Sequence, residues 1–116
     1  IKNSTFQTSQ GLQLRDFCYI SDAVKAIFLA LESSDANGEI FNIASGNAVS
    51  IKSVIEKIIF LIGKGRPEFG AIGYRQGENM ELYAEISKAK DMLKWEPKVD
   101  LEEGLVRTIA SLQKKD

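Results

Sequence analysis

Three stretches of this sequence place polar side chains where they could meet a ligand. In sheet proteins built from alternating strands and helices, ligands bind beyond the strand ends, so polar groups there come first. Gly11-Leu12-Gln13-Leu14-Arg15-Asp16-Phe17 aims an Arg from a turn. A guanidinium holds a phosphate through two parallel hydrogen bonds. The same residues also fit a local Arg15–Asp16 surface pair. Asn42 lies between Phe41 and Ile43 in an apolar run. Asn is depleted in strands, and a buried amide must find partners. Those partners are either a ligand at the sheet edge or neighbouring backbone. Tyr74-Arg75-Gln76-Gly77-Glu78 sets an Arg three residues before a carboxylate. The Arg could clamp phosphate while the carboxylate accepts from sugar hydroxyls, and Gly77 permits the bend that aims both. An exposed polar loop is the plain alternative.

Other candidates are weaker. Cys18 sits between aromatics and reads as a buried structural thiol. Trp95 reads as core at a helix end. Tyr19 and Tyr83 have no Lys four residues later. Gly63-Lys64-Gly65 follows a helix instead of opening one, so it reads as a helix stop and not a phosphate loop. Lys88, Lys90 and Lys94 read as a solvated helix face. No carboxylate pair has a spacing that specifies acid/base work.

Composition removes several chemistries. The 116 residues contain no His and one Cys. That excludes Ser-His-Asp and Cys-His nucleophile pairs, a Cys-type zinc site and an intramolecular disulfide. A net charge of -1 gives no electrostatic case for nucleic acid. The apolar stretch Ile58–Ile62 is far below the roughly 20 residues of a membrane span. Residues 1–5 lack a basic region followed by an apolar run, so no export signal is expected. With the lone Cys, this favours a cytoplasmic location. The chain does not begin with Met, which suggests that its start is not a natural one.

The residue pattern predicts the element order β, β, α, β, α, β, α, α. Residues 3–8 read as a weak strand, and Phe17–Ile20 as a buried strand or extended segment. Ser21 and Asp22 read as caps for a helix buried through Val24, Ile27, Phe28 and Leu31. Ile40–Ala44 reads as the clearest strand. Ser50 should cap a helix with the stripe Ile51, Val54, Ile55, Ile58, Ile59 and Ile62, stopped at Gly63. Phe69–Tyr74 reads as a strand, and Ser87 as the cap of a helix through Leu93. Asp100 with Glu103 forms a capping box for a last helix that buries Leu101, Leu105, Ile109 and Leu112 and ends at Lys114 and Lys115. The alternation suggests an α/β fold, with too few strands to cover its helices.

In combination, the motifs resemble a known family. Gly-x-Gln-x-Arg-Asp-Phe-x-Tyr-Ile-x-Asp at 11–22 is similar to a segment of nucleotide-sugar epimerases and dehydratases, the extended short-chain dehydrogenases/reductases. Phe41-Asn42-Ile43-Ala44-Ser45-Gly46 resembles their Tyr-Asn-(Ile/Leu)-Gly-x-Gly element. Arg75-Gln76-Gly77-Glu78 resembles their Arg-x-Gly-Asp loop. Tyr83–Lys90 and Leu93-Lys94-Trp95-Glu96-Pro97 resemble their Tyr-Ala-Asp-x-Ser-Lys-Ala and Leu-Gly-Trp-x-Pro stretches. Leu101–Leu105 resembles the start of their final helix. Glu78 stands where Asp is commoner, keeping the charge and reaching one methylene further. Glu85 likewise replaces Asp, and Ala44 replaces Gly.

The resemblance implies a Rossmann-type parent enzyme. The 116 residues would be a single C-terminal fragment, mainly the substrate-binding domain plus the last strand and helix of the sheet. Arg15, Asn42 and Arg75 would contact the diphosphate of a nucleoside-diphosphate sugar, and Glu78 its ribose. Phe6 and Thr8 would line the base. The family's glycine loop and its Tyr-x-x-x-Lys pair are not in this sequence. The implied NAD or NADP would therefore bind upstream of residue 1, and this portion would be non-catalytic. The parent is expected to be a homodimer. The rival reading is a dehydrogenase-like ligand sensor or scaffold that keeps the fold without the chemistry.

Overall fold

The computed structural model describes residues 4–114. Its elements are β1 (Thr5–Gln7), β2 (Leu14–Arg15), α1 (Ile20–Glu32), a 3-10 turn at Ser34–Ala36, β3 (Val49–Ser50), α2 (Ile51–Ile62), β4 (Arg66–Glu68), β5 (Glu81–Leu82), α3 (Ser87–Leu93) and α4 (Leu101–Gln113). The chain forms two compact units. One takes residues up to 15, 49–82 and from 105 onward; the other takes 16–48 and 83–104.

The first unit holds two small sheets. β1 and β4 pair in parallel, with Phe6 opposite Pro67. Proline has no N–H to give a ladder, and this edge of two strands asks for none there. The flanking bonds do the joining: Arg66 N–H donates to Ser4 O at 3.0 Å and Thr8 N–H to Glu68 O at 3.2 Å. β2 lies between β3, antiparallel, and β5, parallel. Arg15 is thereby set opposite both Val49 and Leu82.

α2 follows the sequence expectation closely. Ser50 accepts the Ser53 N–H on its side chain at 3.1 Å, and Gly63 ends the helix with φ 77°. Val54 is buried and Ile51, Ile55, Ile58, Ile59 and Ile62 are half-buried. The turn before β2 is pinned by Gly11. Its carbonyl accepts the Lys52 N–H at 2.8 Å, and a Cβ at 11 would stand 2.8 Å from that same nitrogen. Only glycine allows that approach.

The second unit packs Ala26, Ala44, Ile86, Ala89, Leu93 and Trp95 into one cluster. The Trp95 indole donates to Asp22 O at 2.9 Å, and the Asp22 carboxylate accepts the Val99 N–H at 3.0 Å. Asp22 is buried by this arrangement. It does not cap α1: the N-cap is Tyr19, with no side-chain bond.

Several sequence expectations need correction. Of the buried strand or extended segment expected at Phe17–Ile20, the strand alternative does not hold: the ladder lies at Leu14–Arg15, where β3 and β5 supply partners, and Tyr19 is extended. Phe17 is exposed and Ile20 opens α1. Ile40–Ala44 is not a strand; no described segment pairs with it. Phe69–Tyr74 is loop, and the strand precedes it at β4. Val24, Ile27, Phe28 and Leu31 of α1 are exposed, while Asp22 and Ala26 form its buried face. The small Ala26 and Ala89 bring α1 and α3 together, so the larger residues point away. Ser87 is the first residue of α3 and not its cap; the Glu85 carboxylate accepts its N–H at 2.9 Å. That bond, with the Ser87 hydroxyl behind it, lowers the pKa of Glu85. Asp100 does cap α4, accepting Glu103 N–H at 2.8 Å. Leu101, Leu105 and Ile109 are half-buried, Leu112 is exposed, and Lys115 lies outside the described residues.

Candidate functional site

β2 ends on Arg15, so the strand fixes where that guanidinium begins. Its Nη1 donates to Leu14 O at 2.7 Å and its Nη2 to Glu78 Oε1 at 2.9 Å. Glu78 arrives through a four-residue turn in which its N–H donates to Arg75 O at 3.0 Å. Gly77, third in that turn, has φ 76°. This positive value is what a type II turn requires and what glycine supplies without strain. Arg75 and Glu78 are therefore the two ends of one turn. The Tyr74 hydroxyl accepts the Leu12 N–H at 3.1 Å and ties that loop to the turn before β2.

The result is a cavity of about 410 Å³ within the first unit, lined by Gln13, Arg15, Tyr74, Arg75 and Glu78 among others. Two guanidinium groups and one carboxylate face it. Arg75 is exposed, while Arg15 and Glu78 are half-buried. The arrangement suits a ligand with an anionic centre and hydroxyl groups beside it. Gln13 was not singled out in the sequence. Its Oε1 is buried without a hydrogen-bond partner, a cost that native folds rarely leave in place.

The remaining sequence candidates are placed elsewhere. Asn42 belongs to the second unit and is exposed, not buried in a strand. Phe6, in β1, is exposed, and the Thr8 hydroxyl donates to Ser9 O at 2.7 Å. Neither lines the cavity. Arg15 does not pair with Asp16. The Asp16 carboxylate instead accepts from Ser45 N–H at 2.7 Å, Ser45 Oγ at 2.5 Å and Gly46 N–H at 2.9 Å. It thereby fixes the bend that follows the Asn42 segment. Nothing in the sequence spacing marks an acceptor and donors 29 and 30 residues apart.

The Lys run also divides. Lys88 pairs with Glu39 at 2.7 Å, whereas Lys90 and Lys94 line a second cavity, of about 420 Å³, with Trp95. No cluster of His, Cys, Asp and Glu suited to a metal occurs among the described residues. None of their helices is long and apolar enough to cross a membrane.

Cys18 is half-buried and its Sγ lies 3.6 Å from Tyr19 O. Burial, then the charges of Asp22 and Asp16, raise its pKa. The thiol should therefore alkylate slowly at neutral pH. The pH midpoint of its iodoacetamide reaction should lie above that of free cysteine; a midpoint at or below it would contradict this environment.

Known proteins resemble this chain in sequence and in fold. The sequence family GDP-mannose 4,6 dehydratase matches residues 2–108. A UDP-glucuronate 4-epimerase of Thermodesulfobacterium geofontis is 39% identical over 101 residues, 85% of this chain and 30% of the relative. The chain belongs to the NAD-dependent epimerase/dehydratase family. Solved members share its fold. A UDP-glucose 4-epimerase of Thermotoga maritima with UDP-glucose superposes with a TM-score of 0.85 at 31% identity, over 98% of this chain and 36% of that one. A UDP-glucuronic acid 4-epimerase of Bacillus cereus, with UDP-glucuronic acid and NAD, gives 0.83 at 31% identity over 97% and 35%. This epimerase/dehydratase chain thus spans about a third of the relatives it matches.

Proposed function

We propose that this chain is the nucleotide-sugar-holding portion of an NAD-dependent epimerase/dehydratase. One observation carries the reading: Arg15, Arg75 and Glu78 line one cavity although more than half of the chain separates Arg15 from the other two. The ligand is a nucleoside-diphosphate sugar, the class named with the solved relatives. The two Arg side chains hold the diphosphate, and Glu78 accepts from ribose hydroxyls. The family resemblance also assigns Asn42 to the diphosphate. Binding energy from the nucleotide then holds the sugar in place for chemistry performed by other residues, a proximity contribution.

The described residues do not fit a dinucleotide. α1 follows Cys18-Tyr19 and α2 follows Val49-Ser50, so neither opens from a glycine-rich turn. The hydride carrier is therefore assigned to the rest of the parent, and this portion has no turnover of its own. The exposed apolar ridge of α1 (Val24, Ile27, Phe28, Leu31) supports further protein packed against it.

Calorimetry of the full-length protein with UDP-glucose tests the site. Arg75→Ala should weaken binding by about 10- to 100-fold, the worth of a charge-assisted hydrogen bond. Equal affinity of the variant and the parent would refute the diphosphate assignment.

A further inference from the structure

The cavity gives Arg15 and Glu78 to each other, whereas the proposed function gives them to different parts of a ligand. The contact is one-sided. Only Oε1 of Glu78 meets the guanidinium, through Nη2 at 2.9 Å. A phosphate can engage such a fork through two bonds. Nη1 is held by Leu14 O, so Arg15 stays in place when its partner changes. Glu78 is otherwise anchored through its backbone N–H, which donates to Arg75 O.

We propose that Glu78 is a specificity-determining competitor for Arg15. Its carboxylate occupies the guanidinium face that an anionic ligand needs. A bare diphosphate must displace it with nothing in return. A nucleoside diphosphate displaces it and offers ribose hydroxyls to the same carboxylate. The exchange favours ligands carrying both groups over inorganic anions, a preference created by a repulsive element as much as by an attractive one. The proposal rests on the nucleotide-sugar reading of the cavity.

The length of the side chain is the lever. Glu78→Asp keeps the charge and shortens the reach by about 1.5 Å, one carbon–carbon bond. That breaks a 2.9 Å contact without changing net charge. Glu78→Gln keeps the length and removes the charge.

The test is calorimetric titration of the full-length protein with inorganic pyrophosphate and with UDP. Both variants should bind pyrophosphate about fivefold more tightly than the parent, the scale of a half-exposed ion pair. UDP should gain less, so its advantage over pyrophosphate should shrink. If pyrophosphate affinity is unchanged or lower in both variants while Arg75→Ala weakens it, Glu78 is a positioning residue and the proposal fails. Tightening in Glu78→Gln alone would reduce the effect to net charge and also overturn it. If Arg75→Ala leaves pyrophosphate and UDP binding unaltered, the reading of the cavity itself fails, a separate result. A melting curve for each variant checks folding, and the charge-keeping Glu78→Asp variant decides between competitor and positioning residue.

Discussion

An alanine at Trp95 is expected to destabilise the protein by roughly 3–5 kcal/mol, the range for deleting a large buried aromatic. Trp95 is 2% exposed and sits in the cluster with Ala26, Ala44, Ile86, Ala89 and Leu93. Three of the five other buried members of that cluster are alanines. The loss also removes the indole N–H from Asp22 O. The Asp22 carboxylate keeps its bond to Val99, so the damage is a cavity plus one lost hydrogen bond. Urea unfolding of the parent and of Trp95→Ala and Trp95→Phe separates the two terms. The Phe variant should recover most of the volume and none of the hydrogen bond. A Trp95→Ala cost below about 1 kcal/mol would mean that the cluster is not packed as described.

The second large effect is expected at Arg15. Arg15→Ala should weaken nucleotide-sugar binding by about 100-fold or more, exceeding the loss at Arg75. Arg75 is exposed, whereas Arg15 is half-buried and pre-aligned by Leu14 O. Removing it also leaves the Glu78 carboxylate half-buried, unpaired and facing a ligand of like charge. Arg15→Lys should restore a minority of the affinity, since an ammonium cannot reproduce the fork. Removing Glu78 as well should relieve part of the Arg15→Ala loss. Isothermal titration of the three variants measures this. A loss at Arg15 no greater than that at Arg75 would argue against the central place given to it.

How much was legible depended on whether the deciding information was local. α2 was legible in full: the Ile51–Ile62 stripe, Ser50 and Gly63 act within a few residues of one another. The turn at Arg75–Glu78 was legible for the same reason, since Gly77 alone sets its bend. Strands were not, because a strand exists only beside another. Ile40–Ala44 has strand-forming residues and no partner among those described, while Arg66-Pro67-Glu68 has a proline and pairs with β1. The face of α1 misled through size: the large apolar residues marked a stripe, but alanines made the contact. In the site, the residue types were readable and the pairing was not. Sequence offered Arg15 its neighbour Asp16; the fold offered it Glu78, 63 positions away.

The turn at 75–78 makes the loop a measuring device. A substitution at Gln76, which is exposed, alters only what that side chain does. An inserted or deleted residue alters the phase between Arg75 and Glu78, because the bond from Glu78 N–H to Arg75 O spans a fixed count. Surface loops usually tolerate changes of length. Here length itself is the constrained quantity, so descendants of this sequence are free to vary the letter at 76 while the number of residues stays the same.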